Sequence, residues 1–239
     1  MLRFLSCIFF LVPTVALAEI TVFAAASLRG VLDEIHASAP IKVTASYASS
    51  AALARQIAQG APADVFFSAN QLWATWLDDQ AVKETFTAQD ILRNELVVIA
   101  SEADPDFDIT ALPETLGDGF LAVGHTRAVP AGIYAKEALS SLRLWDVLQD
   151  RIIQTDNVRA ALRLVALGEA PFAVTYATDA LADPAVHVVH RFDEEDHSPI
   201  IYRVAQLTRG EAANAYLDLL QSPAARDIFR AHGFQDIAP

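Results

Sequence analysis

The sequence predicts an α/β fold built as two lobes, with mostly parallel sheets flanked by helices. Short β-rich runs alternate with helical patterns almost from end to end, an order typical of parallel sheets covered by helices on both faces. The chain has 239 residues, 53% of them hydrophobic, which is enough for one large domain or two small ones. Loop-like stretches at residues 101–113 and 192–199 favour two lobes. We expect lobe I to comprise residues 19–99 and 202–239, and lobe II residues 100–201.

Each element is predicted from its own hydrophobic pattern. Strands are short apolar runs, and helices carry apolar residues three or four positions apart, as at Leu28, Val31, Leu32 and Ile35. The predicted strands span residues 20–23, 41–47, 64–67, 96–100, 121–123, 172–175, 186–189 and 200–207. The predicted helices span residues 28–37, 51–59, 132–142, 158–167, 211–220 and 224–232, with one more through Trp73, Trp76 and Leu77.

The first 18 residues have the pattern of a secretory signal peptide. A positive charge at Arg3 precedes an apolar run over residues 4–15, and Ala16-Leu17-Ala18 is a small-x-small cleavage site. We expect cleavage after Ala18 and export to the periplasm; a retained membrane anchor is the alternative. The only cysteine, Cys7, leaves with this segment, so the mature chain has neither a thiol nor a disulfide.

The net charge of the mature chain limits the classes of partner that it can bind. Loss of Arg3 changes the formal net charge from −13 to −14. Such a surface argues against nucleic acid or an anionic membrane as a partner.

Five strand-to-helix turns carry groups suited to an anion. Ligands of α/β folds bind at the carboxyl ends of strands, and helix N-termini offer unpaired N–H groups and a positive dipole end. The five turns include, in order, Ser27, Ser50, the Pro130-Ala131 helix start, the Asn157-Val158 helix start, and Tyr176. Each has an ordinary alternative: Ser27 and Ser50 as plain helix caps, Pro130 as a rigid helix entry, and Tyr176 as a core aromatic residue.

Several longer segments resemble the periplasmic molybdate-binding proteins of ABC transporters, the ModA family. They are residues 23–28 (FAAASL), 47–57 (YASSAALARQI), 60–69 (GAPADVFFSA), 121–139 (LAVGHTRAVPAGIYAKEAL) and His232-Gly233-Phe234. The resemblance covers essentially the whole mature chain in order. It implies a type II periplasmic binding-protein fold, in which two lobes close on a ligand in the cleft between them.

The same resemblance implies which residues hold the oxyanion. Hydroxyl contacts map to Ser27, Ser50 and Tyr176, and backbone N–H contacts map to Ala131 and Val158. The metal of the oxyanion is then held only through its oxygens, without direct coordination by the protein and without a cofactor. The chain departs from the family at Ala51, where close relatives often carry another serine.

The expected function is therefore capture of molybdate, and of tungstate, for delivery to a membrane ABC permease by a monomeric protein. Another tetrahedral oxyanion such as sulfate is an alternative ligand. A secreted hydrolase with Ser27 or Ser50 as its nucleophile is an alternative of a different class. We expect no enzyme, because the sequence has no G-x-S-x-G, P-loop or G-x-G-x-x-G motif.

Overall fold

A computed structural model describes residues 19–81 and 85–237. The predicted signal peptide, residues 1–18, and its cleavage site lie outside the described residues. In chain order the strands are β1 (Glu19–Ala25), β2 (Lys42–Ala48), β3 (Val65–Ser68), β4 (Thr87–Arg93), β5 (Leu96–Ala100), β6 (Leu121–Gly124), β7 (Ile152–Thr155), β8 (Phe172–Tyr176), β9 (His187–Arg191), β10 (Ile201–Gln206) and β11 (Gln235–Asp236). They form a six-stranded sheet in the order β11-β4-β10-β3-β1-β2 and a five-stranded sheet in the order β7-β6-β8-β5-β9.

Helices cover both sheets. They are α1 (Arg29–Ala37), α2 (Ser50–Ala58), α3 (Gln71–Asp79), α4 (Leu112–Thr115), α5 (Pro130–Ser141), α6 (Trp145–Leu148), α7 (Val158–Ala166), α8 (Ala177–Leu181), α9 (Glu211–Gln221) and α10 (Pro223–Ala231). Strands β3 and β8 are buried along their whole length, as expected for strands packed on both faces. Across the described ranges, no helix has the length and hydropathy needed to span a membrane.

Both sheets are mixed, whereas the sequence suggested mostly parallel ones. Strand β1 runs parallel to β2 and β3, and β6 runs parallel to β7 and β8. The remaining pairs are antiparallel: β10 with β3 and β4, β11 with β4, and β5 with β8 and β9. A helical crossover returns the chain in the same direction, and the parallel strands are those that such crossovers join. Strands that enter their sheet from the other lobe run against their neighbours.

The chain crosses between the sheets twice, at residues 94–95 and at residues 192–200. We expected lobe I to run to residue 99, but β5 pairs with β8 and β9 in the five-stranded sheet. The return also comes one residue early, because β10 begins at Ile201 in the six-stranded sheet. We therefore propose that, of the described residues, 19–81, 85–93 and 201–237 form lobe I and 96–191 form lobe II.

Strands β4, β7 and β11 are additions to the predicted elements. β4 carries Asp90, a residue that is depleted in strands. Its carboxylate accepts hydrogen bonds from Nε and Nη2 of Arg203 at 2.6 and 3.0 Å, and the two residues face each other in the β4–β10 register. The strand is thus stabilised by a partner more than a hundred residues away, and no local pattern reveals it.

The first turn of helix α5 lies in close contact with the end of β6. A Cβ atom on Gly132 would lie 2.0 Å from the carbonyl oxygen of Gly124, so this position requires glycine. The close approach fixes where the first turn of α5, including Ala131, lies relative to the sheet.

Candidate oxyanion-binding site

All five predicted site residues line one small cavity between the lobes. Its wall consists of Ala25, Ala26, Ser27, Ser49, Ser50 and Ala69 from lobe I, and Val129, Pro130, Ala131, Asn157, Val158 and Tyr176 from lobe II. The cavity volume of about 10 Å³ is close to what the centre of one water molecule requires. No residue in this wall carries a formal charge, so a ligand bound there meets only neutral groups.

Ser27 lies in a 3₁₀ turn, Ala26–Leu28, directly after β1. The alternative role as a helix cap is wrong, because neither that turn nor α1 has a side-chain cap. Instead, Oγ of Ser27 lies 2.9 Å from the hydroxyl of Tyr202, a buried residue of β10. The sequence does not reveal Tyr202 as this partner, because the two residues are 175 positions apart.

Ser50 is the first residue of α2, and its neighbour Ser49 is the cap. Oγ of Ser49 accepts a hydrogen bond from the N–H of Ala52 at 3.4 Å. Oγ of Ser50 accepts one from the N–H of Ala69 at 2.9 Å. Ser50 is fully buried and lines the cavity. Because its Oγ is the acceptor in the bond from Ala69, its own proton remains for an acceptor in the cavity.

Ala131 and Val158 contribute the first turns of α5 and α7. Pro130 occupies the first turn of α5 and follows Val129 in an extended conformation. Asn157 caps α7 by accepting a hydrogen bond from the N–H of Ala160 at 3.1 Å. The first N–H groups of a helix have no acceptor in their own helix, so both turns present donors and a positive dipole end to the cavity.

Tyr176 ends β8 and is part of the cavity wall. The side chain is 1% exposed, and its hydroxyl has no hydrogen-bonding partner among the described residues. Burial raises the pKa of Tyr176 well above its usual value, so the group keeps its proton and can only act as a neutral donor or acceptor. A buried hydroxyl without a partner is costly, and an anion in the cavity would supply the missing acceptor.

An ion pair between a buried carboxylate and a partly exposed guanidinium involves a residue three positions after Tyr176. Asp179, in the first turn of α8, is fully buried, and its Oδ1 lies 2.5 Å from Nε of Arg159 in α7. Burial raises the pKa of Asp179 to about 6, although the charge of Arg159 opposes this shift. The pair joins α7 and α8, the two helices that follow Asn157 and Tyr176. It was not predicted from the sequence.

One hydrogen bond joins the lobes at the rim of the cavity. Nε1 of Trp73 in α3 donates to the carbonyl oxygen of Ala128 at 2.7 Å. The guanidinium of Arg55 lies over the Trp73 ring, 4.9 Å from its centroid. Arg55 thus stacks on an aromatic residue of α3.

The two α/β lobes are connected by two crossings and enclose a cavity without charged residues. This arrangement defines a protein that holds a small solute between its lobes. The family model described as bacterial extracellular solute-binding protein matches residues 20–235. The chain belongs to this family, and the predicted fold class is confirmed. The predicted absence of enzymatic activity agrees with this family, and the hydrolase alternative is wrong, because the relatives are solute-binding proteins.

Individual relatives give the same result. The chain is 42% identical to the molybdate-binding protein ModA of Escherichia coli over 227 residues, covering 90% of this chain and 88% of that protein. It is 37% identical to ModA of Haemophilus influenzae, covering 92% and 91%. The periplasmic molybdate-binding protein of Azotobacter vinelandii shares the fold, with a TM-score of 0.77 at 23% identity over 92% of this chain and 99% of that one.

Proposed function

We propose that this protein captures molybdate, and also tungstate, in the periplasm and delivers it to a membrane ABC permease. The observation that carries the proposal is the buried hydroxyl of Tyr176, which lacks a partner in a cavity walled by neutral donors. The 42% identity to a molybdate-binding protein supports the choice of anion.

The donor set suits a tetrahedral dianion. Ser50 already accepts a hydrogen bond from Ala69, and the first turns of α5 and α7 can only donate. The four oxygens of the anion then meet five donors. Three are the hydroxyls of Ser27, Ser50 and Tyr176, and two are the N–H groups of Ala131 and Val158. Charge-assisted hydrogen bonds of this kind contribute about 1.5–3 kcal/mol each. The metal is held through its oxygens alone.

The proposed function also includes where the protein acts and in which oligomeric state. Export through a signal peptide cleaved after Ala18 places it in the periplasm, in keeping with an extracellular solute-binding family. We propose that it acts as a monomer there and contacts the permease only transiently.

Calorimetric titration with molybdate, tungstate, sulfate and phosphate in parallel tests the ligand. We expect molybdate and tungstate to bind more tightly than sulfate, since a donor ring of fixed size prefers one metal–oxygen length. Ser50→Ala should weaken molybdate binding, whereas Ser68→Ala should not, because Ser68 is buried but lies outside the cavity wall. Tighter binding of sulfate than of molybdate would contradict the proposal.

Salt provides a second test of the same site. Because the cavity wall is uncharged, the affinity should fall only modestly as ionic strength rises. A steep fall would indicate that a cation holds the ligand.

A further inference from the structure

Four buried side chains form a continuous hydrogen-bonded chain from the first crossing between the lobes to the cavity. Nδ2 of Asn94 lies 2.8 Å from Oγ1 of Thr178 and 3.2 Å from the hydroxyl of Tyr202. The hydroxyl of Tyr202 lies 2.9 Å from Oγ of Ser27. All four residues are buried. Only Ser27 belongs to the cavity wall.

The orientation of Asn94 determines the direction of the first bond. Its Oδ1 accepts a hydrogen bond from the N–H of Glu95 at 2.9 Å. A flipped carboxamide would point its NH₂ group at that N–H, placing two donors against each other. Nδ2 therefore faces Tyr202 and donates to its hydroxyl.

Tyr202 must in turn donate to Ser27. Its side chain is fully buried, and burial raises its pKa far above the usual range, so the phenol keeps its proton. Asn94 is a donor to it, which leaves Oγ of Ser27 as the acceptor for the Tyr202 proton within the described structure. A buried proton without an acceptor would be costly.

Ser27 is then left with one free proton, and the cavity is where it can find an acceptor. We propose that Asn94 and Tyr202 are positioning residues that hold Ser27 as a hydrogen-bond donor and so make the site select fully deprotonated oxyanions. A ligand oxygen that carries a proton, as in hydrogen phosphate, would need Ser27 to accept. The Ser27 proton would then have no partner among the described residues. This inference rests on the proposed function, because it names how that site chooses its anion.

A double-mutant cycle on the complete mature protein tests whether Tyr202 acts through Ser27. We expect Tyr202→Phe to weaken molybdate binding about threefold to tenfold, the effect of one hydrogen bond. In the Ser27→Ala background the same substitution should change the dissociation constant by less than about twofold, because the group it positions is gone. Ser27→Ala removes one of five donors, so binding stays measurable at higher molybdate concentration.

Two further variants separate positioning from folding. Tyr216→Phe removes another buried hydroxyl, bonded to Nε2 of His36 at 2.8 Å, and should leave the affinity unchanged. Asn94→Ala frees the Tyr202 hydroxyl and should show the same dependence on Ser27 as Tyr202→Phe. It also serves if Tyr202→Phe does not fold.

The outcomes distinguish this inference from the proposed function. If Tyr202→Phe lowers the molybdate affinity equally with and without Ser27, or does not lower it at all, the positioning role of Tyr202 is overturned. The proposed molybdate binding still stands in that case. A lower ratio of molybdate to inorganic phosphate affinity in Tyr202→Phe than in the unmodified protein supports the positioning role. If the unmodified protein binds neither molybdate nor tungstate, the proposed function fails, and the positioning role of Asn94 and Tyr202 fails with it.

Discussion

Replacing Tyr176 with phenylalanine should weaken the complex without weakening the fold. The hydroxyl has no partner among the described residues and is buried. Removing it deletes an unsatisfied polar group, whose burial costs about 1–3 kcal/mol. The free energy of unfolding of the ligand-free Tyr176→Phe protein should therefore equal or exceed that of the unmodified protein, by at most this amount.

The effect on molybdate should have the opposite sign. Loss of one charge-assisted hydrogen bond, about 1.5–3 kcal/mol, raises the dissociation constant about 10- to 150-fold. Urea unfolding without ligand and calorimetry with molybdate measure the two quantities. Tyr216→Phe is the matched control: its hydroxyl is bonded to His36, so it should lose about 1 kcal/mol of stability and keep its affinity. A Tyr176→Phe protein that is less stable but binds molybdate normally would refute the reasoning.

Three other perturbations have defined outcomes. Asp179 has a folded pKa raised from 3.8 to about 6, so its contribution to stability is present at low pH and is lost, by up to about 3 kcal/mol, as pH rises from 4 to 6. Urea unfolding should therefore show a smaller loss over this pH range for Asp179→Asn, and identical pH profiles would exclude the shift. Gly132→Ala places a methyl group 2.0 Å from the Gly124 carbonyl oxygen and should cost about 1–3 kcal/mol in thermal unfolding as well as weaken molybdate binding; Gly30→Ala, inside α1 with its nearest neighbouring atom 3.9 Å away, should do neither. Trp73→Phe removes the hydrogen bond to Ala128 and should weaken molybdate, tungstate and sulfate by the same factor in calorimetry; a change in their ratios would contradict this.

Features whose cause is local could be predicted from the sequence. Helix α7 has apolar residues at helical spacing and an asparagine cap, and its expected and observed bounds differ by one residue. The Val129-Pro130 helix entry and the turn at Ser50 were likewise readable, because a proline or a small hydroxyl at a helix start acts within one turn. The residues at these starts do meet at one cavity.

Features whose cause lies far along the chain could not be predicted. Asp90 is acceptable in β4 only because Arg203 faces it from β10. Ser27 looked like a helix cap because the sequence around it contains no sign of Tyr202, its true partner. Asn94 has an ordinary side chain in a short connection, and its role depends on Thr178 and Tyr202, 84 and 108 positions away. Long-range pairing of polar groups leaves no periodicity to detect.

The bond between Trp73 and Ala128 has a consequence for how such a protein can be tuned. Neither residue belongs to the cavity wall, so the bond should stabilise this arrangement of the lobes by the same amount whichever anion is bound. The apparent affinity of a binding protein scales with the population of its binding-competent arrangement, whereas discrimination among anions depends on the groups that face the cavity. Affinity and selectivity are thus controlled by different residues. A variant with higher affinity for the same anion could be sought by changing the contact between Trp73 and Ala128, while the cavity wall stays unchanged.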